Sequence, residues 1–151
     1  MLAKEDISPK LGHKGKVTCI DGDPAGLRVI SGGVDRLLLL WDTQAGIVMK
    51  VYAHNGYHEA AILSVKWSYE KDLFASCSAD ASVFLWSTKY DLPLLHFRGH
   101  HLAVDSLVFI NSHKMLSSGR DGFILVWDIR SGGVVDTEKK HGREVVSKVR
   151  Q

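Results

Sequence analysis

A chain of 151 residues, 45% hydrophobic and 24% charged with a mean hydropathy of -0.03, has the makeup of one globular domain and excludes a disordered tail, a collagen and a coiled coil. Nineteen basic against seventeen acidic residues leave a net charge of +2, too weak a field to condense the chain on nucleic acid or anionic lipid, and no run of apolar residues is long enough to span a membrane as a helix. Cys19 and Cys77 stand far apart with no CxxC spacing, so neither a disulfide framework nor a zinc cluster is signalled, and the charged start Met1-Leu2-Ala3-Lys4-Glu5-Asp6 lacks a signal peptide's apolar stretch. The expectation is an intracellular, reducing setting, cytoplasm or nucleus, with no membrane.

In chain order, residues 1–11 offer only Ile7 and Leu11 around Pro9, a poor strand, and are set aside as an N-terminal extension. His13 opens the first unit, followed four residues later by Val17-Thr18-Cys19-Ile20, apolar at its outer pair. Next come the turn text Ser31-Gly32-Gly33-Val34-Asp35, the run Arg36-Leu37-Leu38-Leu39-Leu40-Trp41 and a shorter strand over 47–52. His58 opens the second unit in the same way, with Ile62-Leu63-Ser64-Val65, Ser76-Cys77-Ser78-Ala79-Asp80, Ser82-Val83-Phe84-Leu85-Trp86 and a strand over 94–97. His100 opens the third, with Val104-Asp105-Ser106-Leu107, Ser117-Ser118-Gly119-Arg120-Asp121, Phe123-Ile124-Leu125-Val126-Trp127 and a strand over 134–137.

Three tryptophans mark the repeat: Trp41, Trp86 and Trp127 lie 45 and 41 residues apart, and self-similarity at such a period decides the fold. An Asp precedes each by six (Asp35, Asp80, Asp121), a Ser by ten (Ser31, Ser76, Ser117) and a His by 28, 28 and 27 (His13, His58, His100). In the second unit Ala53-His54 is a rival, but its distance to Trp86 is 32, so spacing favours His58. Small residues and an Asp between two apolar runs are hairpin-turn chemistry, and the continuous apolar runs before each Trp predict strands buried on both faces.

Gly12-His13 and Gly99-His100, Trp41-Asp42 and Trp127-Asp128, with an Asp in each turn, resemble the WD-repeat family of β-propellers over residues 12 to 149. The second unit departs in ending Trp86-Ser87 and in a four-residue insertion before its histidine. The resemblance implies an all-β fold, a partial propeller of three four-stranded antiparallel blades over 12–52, 53–97 and 98–138. A remnant strand of a fourth blade is expected within 139–151, where His141 and Val145 repeat the offset of His13 and Val17. It also implies that each His, Ser, Asp and Trp set forms a hydrogen-bonded tetrad. The chemistry suits that: indole N–H only donates, hydroxyl and imidazole do both, and carboxylate only accepts.

Ser, His and Asp are also the parts of a hydrolase. Three copies at one spacing, without a GxSxG turn, favour the structural reading and no catalysis. His54 and His58 have a metal-ligand spacing, but Asn55-Gly56 between them reads as a turn and no further ligand completes a set. Gly32-Gly33 and Gly132-Gly133 do not continue into a phosphate loop. No cofactor or metal is expected. The basic residues Lys139, Lys140, Arg143, Lys148 and Arg150 are offset by Glu138 and Glu144, so a solvated face is favoured over a nucleic-acid arm. Trp67 reads as core.

Propellers close with 4–8 blades and three leave apolar faces open. Either two chains pair into a larger ring, or the missing blades come from elsewhere in a longer protein or from another chain. Resemblance to the family implies a scaffold for protein partners within a multiprotein complex, the alternative being an RNA- or DNA-associated module using the basic C-terminal segment. If the family layout holds, Lys14, Lys16, Arg36, Asn55, Tyr57, His101 and Arg120 lie exposed on the face beside the tetrads. Arg36, Tyr57 and Arg120 lead as partner contacts because Arg and Tyr are enriched at binding hot spots, with Lys14 and His101 beside them.

Overall fold

The structure, a computed structural model, describes residues 12–52, 57–70 and 72–131, and the backbone of 134–139 and 147–149. Every regular element there is a strand. Four form a first antiparallel sheet: β1 (Val17–Gly22), β2 (Arg28–Gly33), β3 (Leu38–Asp42) and β4 (Ile47–Tyr52). A second holds β5 (Ile62–Trp67), β6 (Leu73–Ser78), β7 (Val83–Ser87) and β8 (Leu95–Phe97). The third holds β9 (Val104–Phe109), β10 (Lys114–Gly119), β11 (Phe123–Asp128) and β12 (Val134–Lys139). Each sheet runs in sequence order, and β1 packs beside β5 and β5 beside β9. This is the all-β partial propeller that the resemblance to the WD-repeat family implies.

A fifth strand, β13 (Ser147–Val149), pairs antiparallel with β12. It adds to the edge of the third sheet that β12 would otherwise leave open, whereas β1, β5 and β9 each stand at the opposite edge of their sheets. His141 and Val145, which suggested the start of a further blade, lie outside the described residues, as do residues 1–11, His54 and Asn55.

Register is the same in all three sheets. Ser31 faces Leu39, Ser76 faces Phe84 and Ser117 faces Leu125, while Val29, Phe74 and Met115 face Trp41, Trp86 and Trp127. The turns share a second constant: the residue five before each Trp has a left-handed backbone, φ 68° at Arg36, 74° at Ala81 and 83° at Gly122. Only the third turn has the glycine that this region favours.

Two apolar layers lie between the sheets. Ile30, Leu38, Leu40 and Tyr52 meet Ile62, Val65, Phe74 and Trp86 in one. In the other, Val83, Leu85 and Phe97 meet Val104, Leu107, Met115 and Trp127. Each such side chain contributes about 1.5–3 kcal/mol by leaving water, so the sandwich is held chiefly by these layers. The expectation that the third strands are buried on both faces holds for β7, all five of whose residues are buried, and fails for β11, which alternates. The second sheet has a neighbour on each side; the third has one.

Candidate functional site

The repeating Ser, His, Asp and Trp meet at one end of each sheet. In the first, Trp41 Nε1 donates to Ser31 Oγ (2.8 Å), Ser31 Oγ lies 2.8 Å from His13 Nε2, and His13 Nδ1 lies 2.9 Å from Asp35 Oδ2. The third repeats it, with Trp127 to Ser117 at 2.7 Å, Ser117 to His100 at 2.7 Å and His100 to Asp121 at 3.0 Å. Since the indole can only donate and the carboxylate only accept, the proton order is fixed: indole to hydroxyl, hydroxyl to Nε2, and Nδ1–H to carboxylate.

The second sheet differs. Trp86 Nε1 donates to Ser76 Oγ (2.8 Å) and Ser76 lies 2.6 Å from His58 Nε2, but His58 Nδ1 meets Ser82 Oγ at 2.6 Å, and it is Ser82 that bonds Asp80. A hydroxyl is thus inserted in the relay. Two positions change together. Ser82 stands where the first and third sheets have Leu37 and Phe123, and Ser78 stands where they have Gly33 and Gly119. A Cβ at Gly119 would lie 2.5 Å from His100 Nδ1 and 2.7 Å from Asp121 Oδ1, so direct His–Asp contact needs glycine there; the second sheet has a Cβ and a bridging hydroxyl instead. Repeat alignment exposes this signal, though the expected four-member set for this blade left Ser82 out.

Each Asp also holds two loops. Asp35 accepts from the N–H of Lys14 and of Leu37, Asp80 from Glu59 and Ser82, and Asp121 from His101 and Phe123. The segment before each first strand is thereby pinned to the turn between the second and third. Burial acts to raise these carboxyls, but the surrounding donors outweigh it and hold Asp35, Asp80 and Asp121 below the ordinary range. Burial pushes His58 down to about 4, against the pull of Asp80.

Chemically the sets are saturated and closed off. Ser31, Ser76 and Ser117 are 3%, 0% and 1% exposed, and each hydroxyl already accepts an indole N–H. Such a serine has no path to a substrate, and the arrangement performs cohesion rather than acyl transfer. Among the described residues, no three His, Cys, Asp or Glu side chains are placed to hold a metal ion. No helix there is long and apolar enough to cross a membrane.

The surface candidates divide. Lys14, Arg36, His101 and Arg120 are exposed, Arg120 pairing with Asp105 at 3.1 Å. Tyr57, expected to be exposed, is half-buried, its ring edge-on to Phe84 and Trp86 because it closes the outer end of the first apolar layer. Its remaining edge lines a cleft of about 320 Å³ with Glu59, Ser82, His96, Arg98 and His100. Glu59 could have been found, since it holds the same repeat position as Lys14 and His101. His96, stacked on Phe84 at 4.3 Å, carried no repeating signal.

At the opposite end of the sheets, Arg28 joins Asp23 (3.1 Å) to Asp72 (3.2 Å) and lies 5.1 Å from the Trp67 ring. Trp67 in turn donates its backbone N–H to Asp21 Oδ2 and its indole N–H to the Asp21 carbonyl. It is core, as expected, and also a polar rivet between the first two sheets.

Comparison with known proteins agrees with this geometry. A family model described as "WD domain, G-beta repeat" matches residues 7–42, 48–87 and 92–128. Each match ends one residue beyond a repeating Trp, so the sequence unit is offset from the sheet by one strand. The chain is 35% identical over 118 residues to Telomerase protein component 1 of Rattus norvegicus, covering 78% of the chain and 4% of that protein. It is 30% identical over 124 residues to Nuclear distribution protein nudF of Aspergillus flavus, covering 80% and 27%, and 31% identical over 124 residues to Transducin beta-like protein 3 of Bos taurus, covering 79% and 15%. The chain spans less than a third of the length of each. With three registered repeats, an antiparallel sheet for each and a matching family model over most of its length, the chain belongs to the WD40-repeat family.

Proposed function

We propose that the chain is a non-enzymatic scaffold for protein–protein contacts within an intracellular assembly, in cytoplasm or nucleus, and that it binds through the face carrying Lys14, Arg36, Tyr57, His101 and Arg120. The supporting observation is the double loop clamp at Asp35, Asp80 and Asp121. Loops tied to one another in this way present side chains with little ordering cost on binding, which favours recognition. The His, Ser, Asp and Trp residues of the three sets, with Ser82 added, are the structural elements beneath that face.

The test is affinity capture of binding proteins with the unaltered chain and with a variant carrying Arg36→Ala, His101→Ala and Arg120→Ala, leaving Tyr57 in place to preserve packing. Loss of the proteins recovered with the unaltered chain is expected. Identical recovery overturns the assignment of this face.

A further inference from the structure

The two junctions between neighbouring sheets differ at the end away from the Asp35, Asp80 and Asp121 clamps. Between the first and second sheets this end is stitched by charge. Arg28 reaches Asp72 at 3.2 Å and Thr88 Oγ1 at 3.3 Å, Lys89 lies 3.7 Å from Asp72, and Lys50 pairs with Asp91 at 2.8 Å. Between the second and third sheets the same repeat positions hold other chemistry. Leu73 and Leu95 stand where the first sheet has Arg28 and Lys50. His113, Ile129 and Arg130 stand where the second has Asp72, Thr88 and Lys89.

Without the stitch, these residues line a recess of about 400 Å³. Leu85 and Ile129, 2% and 6% exposed, form its floor. Leu73, Leu94 and Leu95 complete the apolar lining, and Leu94 is 43% exposed. At the rim stand His113 and Arg130 from the third sheet and Glu70 from the second, all exposed. A guanidinium only donates, so at 3.0 Å it is His113 Nε2 that accepts from Arg130. Among the described residues, Arg130 has no carboxylate partner for its side chain.

We propose that this recess is a second binding site, for a segment of a partner protein that carries an aliphatic side chain flanked by a carboxylate, the side chain seating against Leu85, Leu94 and Ile129 and the carboxylate pairing with Arg130.

Charge complementarity selects the polar half of that ligand. At the first junction Asp72 supplies the acid for the surrounding cations; at the second its position is His113, so the acid for Arg130 comes with the ligand. The planar guanidinium fork matches a carboxylate in two parallel hydrogen bonds. Glu70 repels an acid on the opposite rim, which directs the carboxylate toward the third sheet. The apolar half follows from the lining, and the volume lies within the roughly 300–1,000 Å³ of ligand pockets. Both walls are sheets of this chain packed on each other, so the recess does not depend on what adjoins the first or third sheet. It lies at the opposite end from Arg36 and Arg120 and is independent of the face proposed above.

The test is a nuclear magnetic resonance titration of the isotope-labelled 151-residue chain with the blocked peptide acetyl-Ser-Asp-Leu-Asp-Ser-amide at low salt. Amide shifts should centre on Leu73, Leu94, Leu95, Ile129 and Arg130. Changing both Asp of the peptide to Asn, or its Leu to Ala, should raise the dissociation constant roughly tenfold or more. Arg130→Gln, at an exposed side chain, should keep the native spectrum and abolish the preference for the Asp peptide over the Asn peptide. Leu94→Ser should weaken both peptides alike. Absent shifts, shifts centred at the other end of the sheets, equal affinity for the Asp and Asn peptides, or a preference that survives Arg130→Gln each overturns the proposal. So does binding of isocaproate, the free acid with the same side chain, where the peptide fails, since that would make the recess a site for small acids.

Discussion

Ser82 Oγ stands 2.6 Å from His58 Nδ1 and completes a link that the other two sheets make without it. Removing that hydroxyl leaves a buried imidazole N–H and a carboxylate without their partner, a loss of about 1–3 kcal/mol. Ser82→Ala should therefore lower the urea midpoint well beyond what Ser112→Ala does at a half-buried surface turn. Equal midpoints for the two variants would show that Ser82 carries no such link.

What the sequence made legible was whatever repeats. The positions of His13, Ser31, Asp35 and Trp41 relative to one another recur twice to within one residue, so the strand-and-turn unit and the residues to search for could be read by counting, while the blade architecture and the tetrad came from the resemblance to the WD-repeat family. The half-buried Tyr57 and the cleft residues His96 and Arg98 could not be read that way, because each belongs to a junction between blades, and the bridging Ser82 shows only as a departure from the repeat. Periodicity also overstates burial at the ends. Phe123-Ile124-Leu125-Val126-Trp127 has the same apolar continuity as Ser82-Val83-Phe84-Leu85-Trp86, and only the count of neighbouring sheets separates their environments.

Gly119 tests the steric half of the same argument. A Cβ there would meet His100 Nδ1 at 2.5 Å, whereas at Gly22 the nearest atom is 4.0 Å away. His100 is buried and held at both ring nitrogens, so it cannot swing clear. Gly119→Ala should cost about 1–3 kcal/mol and Gly22→Ala little, as compared by thermal unfolding. Similar small losses at both would mean that the relay tolerates a methyl group.

Arg36 occupies a left-handed backbone, φ 68°, in the turn where the third blade has Gly122. A non-glycine residue held there is strained by roughly 1 kcal/mol. Arg36→Gly should thus raise stability by a comparable amount while removing a side chain assigned to partner contact. Higher melting temperature with weaker partner recovery is the expected pair of readouts. A lower melting temperature would mean that the side chain, exposed as it is, makes up for the backbone.

Acid should weaken the fold in two separate windows, and the first belongs to His58. Burial holds its folded pKa near 4, below the unfolded value of about 6.5. As pH falls from about 6.5 to 4, the unfolded chain takes up a proton that the folded chain refuses, so stability declines through that range, by up to about 3 kcal/mol. Asp35, Asp80 and Asp121 are likewise shifted down, below the ordinary carboxylate value. Their contribution persists above the ordinary carboxylate pKa and is lost only at lower pH, so it does not confound the first window. Urea midpoints at pH 7.5, 5.5 and 4.5 should fall in that order, and the assigned His58 imidazole resonance should stay flat through pH 6.5. A titration midpoint at or above 6.5 would place a charge on His58 that a ring enclosed between Ser76 and Ser82 and stacked edge-on to Phe84 has no solvent to support.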